Sequence, residues 1–462
     1  MTAPAFLATA LASDKESALI GQLMNRLGVV AAPNREAREF YDGSHVAAEF
    51  GISIPPSMRN LHTVAGWAGT AVDVLEERLD WLGWMSDSDE FGLDRVFAEN
   101  ALDTESGLAH LDALIYGVSF VAVGSGDSDE PSLLVTPQSP ELMTAEWDSR
   151  RRRLSSAMSV TVNDIGETTS VTLYTASETV TFDADRGMWR AVDRDRHNLG
   201  RVPVVIVPNR VRRSRLMGRS EISRAVRYYT DAAARTLLGL EVNREFYNAP
   251  QRVGLNVDES MFQDANGDPV SPWQAIMGRV WNIPPNEDGE SDPDVKQFPP
   301  NSPAPYIDQI KGYAQLLAAE VGIPASYLGF QTDNPSSADA IRAGEARLTK
   351  RAERRQVGFG HAWMEVARLA LLIRDGAVPN EFDMSVTTHW RDAATPTRAA
   401  AADSASKLIA SGVLPADSSV TYDRVGLTPA EQRQVQADKR RAGGSAALRA
   451  IVANSGANSG VS

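Results

Sequence analysis

The sequence predicts an α+β protein with a helical start, a β-rich middle and long helices in its second half. Three observations predict this class. Apolar residues recur at helical spacing through most of the first 120 residues. Between residues 119 and 207, short β-branched runs are separated by Gly, Asp and Asn clusters, as in an antiparallel meander. After residue 218 the helical spacing returns over three long segments.

The first 120 residues predict three helices. One covers residues 15–29, and the second carries Val64, Val72 and Leu75 and is followed by the apolar stretch 79–84. The third covers residues 93–116 and stops at Gly117, a residue type that favours the end of a helix. We expect this whole region to be helical.

The middle of the chain predicts six short strands. Each is rich in Val, Thr, Ser or Phe with alternating apolar positions. The predicted strands are 119–123, 132–135, 157–162, 169–174, 179–182 and 204–207.

Three long helices are predicted in the second half. Ser220 is a plausible N-cap for the first, in which six apolar residues recur at steps of three or four. The third begins with a capping box, Ser336 to Asp339, and contains Gly358 and Gly360, where we expect a kink or break. The predicted helices cover 220–246, 306–321 and 336–374.

The segments around these helices are shorter. Residues 252–257 and 276–283 predict strands, with an Asn266-Gly267 turn between them. The segment from 254 to 294 is acidic, since it contains nine Asp or Glu residues and one Arg. A strand is expected at 381–390 and helices at 396–411 and 428–442, and the last twenty residues predict a loose tail.

Composition excludes several classes of protein. The 462 residues carry a formal net charge of −14, which argues against non-specific coating of DNA or anionic membrane, although a local basic strip remains possible. The absence of Cys excludes disulfides, zinc knuckles, iron–sulfur clusters and Cys nucleophiles. No apolar run approaches the roughly 20 residues that a bilayer requires, so we expect a soluble protein that is not exported.

The common catalytic motifs are missing. The sequence contains no Walker loop, no G-x-S-x-G elbow and no closely spaced His pair. Carboxylate clusters, such as Asp183 and Asp185 or the acids at 87–90, fit solvated turns better than a metal-dependent nuclease, which nonetheless stays open as the alternative. No cofactor or metal site is expected.

Two basic features stand out against the acidic background. Arg150 to Arg153 form a run of four, whose default interpretation is a solvated or intersubunit patch. The second feature, the basic stripe, lies on the third long helix with helical spacing. It pairs either with a neighbouring acidic surface or with DNA phosphates, and both alternatives remain open. Its members are Arg347, Lys350, Arg351, Arg354 and Arg355.

Read in order, several segments resemble the portal proteins of tailed bacteriophages, in the branch typical of siphophages. The most specific are GRVPVVIVPNR at 200–210, GRSEIS at 218–223 and YNAPQR at 247–252. ALIYGVSFV at 113–121, VGIP at 321–324 and the region 336–363 add to the likeness. The resemblance covers residues 10–440 and rests on the order and spacing of motifs that are weak singly.

The resemblance implies a portal-type fold with an α/β wing, a long helical stem, a small β-containing clip, a kinked long helix and a short helical crown. Its expected boundaries are wing 1–217, stem helix 218–247, clip 248–303, stem helix 304–321, tunnel loop 322–335, long kinked helix 336–376, return to the wing 377–395, crown 396–443 and flexible tail 444–462.

The resemblance also implies a function without catalysis: a ring of twelve copies at one capsid vertex, forming a channel for entry and exit of double-stranded DNA. The expected partners are the terminase motor, the major capsid and scaffolding proteins and a head-completion adaptor, with no membrane. The protein would assemble in the host cytoplasm and reside in the virion. We expect Arg347, Lys350, Arg351 and Arg354 to face DNA. Clip acids expected to dock partners are Asp258, Glu259, Glu287 and Asp288.

Overall fold

The computed structural model describes residues 13–46, 63–86, 91–185, 188–248, 252–256, 294–297, 299, 302–330, 338–394, 396, 398–428 and 431–442. The chain divides into two compact units. Unit 1 comprises Met1–Arg35, Val72–Ser220 and Ser336–Ser462, and unit 2 comprises Glu36–Ala71 and Glu221–Pro335.

The helices are named in chain order. They are α1 Asp14–Tyr41, α2 Trp67–Glu76, α3 Leu93–Glu99, α4 Leu102–Tyr116, α5 Arg224–Asn248, α6 Ala304–Val321, α7 Ala338–Asp375, α8 Phe382–Ser385, α9 Arg398–Ala410 and α10 Ser419–Val425. A short 3-10 turn covers Ala325–Leu328, and residues 431–442 form a further helical stretch.

The strands are likewise numbered along the chain. They are β1 Trp81–Ser86, β2 Val118–Ser125, β3 Leu133–Gln138, β4 Met143–Asp148, β5 Arg153–Val162, β6 Thr168–Tyr174, β7 Thr179–Asp185, β8 Met188–Asp195, β9 Val204–Pro208, β10 Arg252–Leu255, β11 Asp294–Gln297 and β12 Val386–Trp390.

Unit 1 contains three antiparallel sheets. One has the order β4-β5-β6-β7-β8 and is a meander, in agreement with the turn-separated strands that the sequence predicts. The second has the order β3-β2-β9, and the third pairs β1 with β12. The mixed helix and sheet content confirms the predicted α+β class.

The meander is covered by the first helix. Ile20, Leu23 and Leu27 recur on one face of α1 and are buried against the sheet residues Met158 and Phe182. A second core lies between the two larger sheets, where Phe120 of β2 packs with residues of β4, β5 and β9. These apolar contacts determine which face of each sheet is buried.

Unit 2 is built around a helix pair, α5 and α6. Gly239 of α5 lets the Tyr306 ring of α6 approach closely, since a Cβ at position 239 would lie 3.0 Å from its Cε1 atom. Ile310, Ala314 and Leu317 of α6 are buried, as helical spacing predicts. The strands β10 and β11 pair antiparallel, Arg252 opposite Gln297.

Several predictions about local structure are wrong. Residues 81–86 form a strand, because their backbone pairs with β12, far away in sequence. The predicted helix 93–116 is two helices, divided where Ala101 adopts a φ of +47°. Ser220 does not cap α5, which starts at Arg224, and there the Ser223 hydroxyl accepts a hydrogen bond from the Val226 N–H at 3.4 Å. The helix α10 and the strands β4 and β8 were not predicted.

Of the kink or break expected at Gly358 and Gly360, the break is wrong, because α7 is helical from Ala338 to Asp375 without interruption, and the kink stays a prediction. Gly360 has a packing role instead. A Cβ at this position would lie 2.6 Å from Thr388 Oγ1 of β12, so the missing side chain lets the helix and strand approach each other.

Other predictions are confirmed. Gly117 ends α4 with a φ of +100°, and its N–H donates to the Ala113 carbonyl. The helix 306–321, the strand at 252 and the helix at 396–411 are present as α6, β10 and α9. Some predictions lie outside the described residues: the strand 276–283, the Asn266-Gly267 turn and the tail. The capping box Ser336 to Asp339 lies outside them in part.

Candidate nucleic-acid interface

The basic stripe lies on the first half of α7, in unit 1. The side chains of Arg347, Lys350 and Arg354 are exposed, and that of Arg351 is half-buried. Residues three and four apart share a helix face, so the structure brings the four predicted DNA-facing residues together along one side of α7. Whether that side contacts DNA stays a prediction.

Lys350 is partly neutralised by its own helix. Its Nζ atom lies 2.6 Å from Glu353 Oε2, one turn along α7. Both side chains are about half exposed or more, so this pair contributes little stability and competes only weakly with an external anion. Lys350 therefore stays available to an external anion.

Arg355, the fifth member of the stripe, turns away from it. Its Nε donates to Asn209 Oδ1 at 3.1 Å, and its Nη1 donates to the Arg351 carbonyl at 3.3 Å. Since the guanidinium is held by two protein oxygens in a half-buried position, Arg355 has a structural role.

Asn209 is a fully buried connection point next to β9. Its N–H donates to the Gly117 carbonyl at 2.9 Å, and its own carbonyl accepts from the Arg219 N–H at 2.7 Å. Its Nδ2 donates to the Arg219 carbonyl at 2.9 Å, while Oδ1 accepts from Arg355. One side chain and its backbone thus join the end of α4, the end of β9 and α7.

Between Asn209 and Arg219 lies a cationic segment that the sequence reasoning missed. We call residues 210–215 the arginine loop. Its four arginines, all exposed, are Arg210, Arg212, Arg213 and Arg215. Arg212 and Arg215 exchange backbone hydrogen bonds of 3.2 and 2.9 Å, which closes a two-residue turn. The density of Arg in the sequence was the signal that could have found it.

A groove with a volume of 560 Å³ lies between α7 and β12, still within unit 1. Arg368 lines it and is held by Asp383, with Nε donating to Oδ1 at 2.9 Å, and by Glu365. Burial alone would lower the pKa of Arg368, but these carboxylates outweigh it and raise the pKa. Arg368 and Asp383, which both line the groove, are thus paired with each other.

The predicted clip acids Asp258, Glu259, Glu287 and Asp288 lie outside the described residues. Of the predicted tunnel loop, the structure describes residues 322–330, which contain the short 3-10 turn.

Within the described part of the chain, no group of three or more His, Asp or Glu side chains is placed to hold a metal ion. In the same part, no helix is both long enough and apolar enough to cross a bilayer.

Residues 34–442 match the family described as "Phage portal protein, SPP1 Gp6-like". The portal protein of Mycobacterium phage L5 is 35% identical over 386 residues, covering 81% of this chain and 78% of that protein. The portal protein of Mycobacterium phage D29 is 35% identical over 391 residues, covering 82% and 79%. None of these similarities supports the nuclease alternative.

Two solved structures are distantly similar. The virion of a native gene transfer agent particle contains a chain with a TM-score of 0.42 and 15% identity, covering 85% of this chain and 99% of that one. The neck of the same kind of particle, computed with C12 symmetry, contains one with a TM-score of 0.42 and 14% identity, covering 82% and 97%.

The family match spans most of the sequence, and both mycobacteriophage proteins are 35% identical over about four-fifths of it. Portal proteins are a family of structural proteins. The chain belongs to the SPP1 Gp6-like family of phage portal proteins.

Proposed function

We propose that the chain is the subunit of a ring of twelve copies at one capsid vertex, through which double-stranded DNA enters during packaging and leaves during ejection. The observation that carries this proposal is the family match over residues 34–442. The ring has no catalysis of its own, so ATP hydrolysis belongs to a separate terminase motor. Capsid, scaffolding and head-completion proteins are its further partners, and its place is the virion.

Exposed apolar residues on the helix pair of unit 2 support assembly. Tyr228 of α5 is 58% exposed, and Ile307 and Leu316 of α6 are 42% and 51% exposed. Burying apolar surface stabilises by about 25 cal/mol per Å², so a neighbouring copy that covers these side chains is favoured. Identical copies repeated by rotation would bury the same face twelve times.

The basic stripe supports contact with the duplex. Arg347 and Arg354 are exposed guanidiniums on one side of α7, suited to phosphate oxygens. Because the chain carries a net charge of −14, most of the protein repels DNA, and the cations of the basic stripe in each copy guide it. Many weak contacts of this kind hold a duplex in place while still letting it slide.

The acidic segment supports docking at one end of the ring. The sequence between residues 254 and 294 carries nine acids and one Arg, a composition suited to partners with basic faces. Asp258, Glu259, Glu287 and Asp288 are our candidates for these contacts.

DNA packaging by assembled proheads tests the role of the basic stripe. The variant Arg347→Gln/Arg354→Gln removes two exposed cations from α7, and Arg150→Gln/Arg151→Gln removes two from the β4–β5 turn as the matched control. We expect several-fold less packaged, nuclease-protected DNA with the α7 variant and wild-type amounts with the control. Equal packaging by both variants and the wild type would show that the stripe is structural.

A further inference from the structure

The arginine loop concentrates positive charge on the surface of unit 1. Within it, three exposed arginines, Arg212, Arg213 and Arg215, stand on four consecutive residues. Like charges so close together repel each other, and no Asp or Glu lies within this sequence segment. A partner with dense negative charge would relieve that repulsion.

The loop is held in shape at both ends. Asn209 fixes its start and its return through the two hydrogen bonds with Arg219, and the Arg212–Arg215 backbone pair closes its tip. Gly218 closes the base with a φ of +68°, where a Cβ would lie 2.0 Å from the Gly117 carbonyl oxygen. Binding therefore requires little ordering of the backbone, which lowers the entropic cost.

Asn209 holds the start of the loop next to α7, the helix that carries the basic stripe. Asn209 directly precedes the loop, and its Oδ1 accepts from Arg355 of α7, one turn beyond Arg351. Two cationic elements of unit 1 are thus tied together by a buried side chain. The ligand that suits two separate cationic elements is a long, regular polyanion and not a small anion.

We propose that the arginine loop is a second contact site for the phosphates of duplex DNA, which extends the site on α7. This inference rests on the proposed function and adds a site to it. Duplex DNA carries about one negative charge per 1.7 Å of axis, a density that matches closely spaced guanidiniums. Arg also forms paired hydrogen bonds with phosphate oxygens. The contact is independent of base sequence.

The test measures binding of a fluorescein-labelled 30-base-pair duplex to the full-length protein by anisotropy, over a series of salt concentrations. The loop variant is Arg212→Gln/Arg213→Gln/Arg215→Gln. The matched control is Arg150→Gln/Arg151→Gln/Arg152→Asn, which removes three exposed cations from another turn of unit 1. Asn is used at 152 because that residue has a φ of +53°. The single variant Arg213→Gln is measured as well, so that the loop is still tested if the triple variant does not fold.

We expect the loop variant to bind DNA at least tenfold more weakly at low salt, with a shallower slope of log affinity against log salt by about one to three. The single variant should show a smaller loss in the same direction, and the control should match the wild type. Thermal unfolding midpoints and light-scattering masses are compared for every variant, so that loss of fold or assembly is recognised.

The outcomes separate this inference from the proposed function. If Arg347→Gln/Arg354→Gln weakens DNA binding and the loop variants do not, the α7 contact stands and the loop proposal is overturned. If only the loop variants weaken it, the loop proposal stands. If the loop variants bind DNA normally but self-associate less, the loop docks on an acidic surface of another copy, and the proposal is overturned.

Discussion

The indole Nε1 of Trp363 donates a hydrogen bond of 2.9 Å to Nε2 of His110, and both side chains are fully buried. The His110 ring also stacks on Phe359, with ring centroids 5.0 Å apart, and Trp363 stacks on Trp81 at 4.2 Å. This cluster joins α4, α7 and the β1–β12 sheet. Because Nε2 accepts a hydrogen bond, the imidazole is neutral, and burial lowers the pKa of His110 from 6.5 to about 3.

His110 makes the stability of unit 1 depend on pH. Above pH 6.5 the folded and unfolded states both carry a neutral imidazole, so His110 adds no pH dependence. Below 6.5 only the unfolded state takes up the proton. The free energy of unfolding then falls by up to about 1.4 kcal/mol per pH unit until the folded pKa is reached.

The neighbouring Asp112 changes the stability with pH in the opposite direction. Burial raises its pKa from 3.8 to about 6, so between these values the folded state holds a proton that the unfolded state lacks, and stability rises as pH falls. The wild-type profile alone mixes the two effects.

We therefore compare urea unfolding of the wild type with His110→Gln, followed by tryptophan fluorescence from pH 7.5 to pH 5. Between pH 6.5 and 5 the wild type should lose about 2 kcal/mol more than the variant. Identical pH profiles for the two proteins would show that His110 titrates normally in the folded state.

Gly218 is predicted to be essential for the base of the arginine loop. Its φ is +68°, and an added Cβ would lie 2.0 Å from the Gly117 carbonyl oxygen and 2.4 Å from that of Asn209, both of them backbone atoms. Gly200 has nearly the same φ of +69° but no atom within 4 Å of an added Cβ, so Gly200→Ala is the matched control.

We expect Gly200→Ala to cost about 1 kcal/mol of stability, the cost of a left-handed conformation. Gly218→Ala should cost at least about 3 kcal/mol or prevent folding, because backbone must move. Chemical denaturation measures both. Similar losses for the two variants would mean that the close backbone approach at Gly218 is not present.

The two glycines within α7 should respond to Ala with opposite signs. Gly358 is exposed, and no atom lies within 4 Å of an added Cβ, so Gly358→Ala should stabilise by about 0.5–1 kcal/mol through helix propensity. Gly360→Ala should destabilise by about 1–3 kcal/mol, because its Cβ would meet Thr388 Oγ1, which accepts the Trp390 Nε1–H bond. Stabilisation by both changes would contradict the packing of α7 on β12.

Assembly should depend on the exposed apolar face of α6. Leu316→Glu places a charge where a neighbouring copy would bury the side chain, so we expect its rings to give way to species of lower mass. Ile165→Glu is the control, since Ile165 is 77% exposed between β5 and β6, outside the helix pair. Size-exclusion chromatography with light scattering measures both, and intact rings with Leu316→Glu would exclude this face from the interface.

The sequence predicts the elements whose signals are local. The helix α6 is recovered because apolar residues recur at helical spacing and stop at Gly322, and the middle strands because turn residues separate them. The strand β1 is missed because its partner, β12, lies 300 residues further along. Residues 81–84 are mostly apolar and carry no period that distinguishes a strand from a buried helix.

The candidate nucleic-acid interface shows the same contrast between features with a local sequence signal and features that depend on distant contacts. The spacing of Arg347, Lys350, Arg351 and Arg354 is enough to place them on one side of a helix. The hydrogen bond from Arg355 to Asn209 spans 146 positions in the sequence, so no local pattern reveals which arginine leaves the stripe. The density of Arg at residues 210–215 is visible in the sequence, but the hydrogen bond that holds this loop next to α7 is tertiary and leaves no local pattern.

The most direct test of the central claim is the mass and shape of the full-length protein, by light scattering and negative-stain imaging, alone and together with the capsid and scaffolding proteins. Twelve copies of a 50.0 kDa chain give rings of about 600 kDa with an axial hole, and this is the result that the portal function predicts. A protein that stays a compact monomer under both conditions would contradict it.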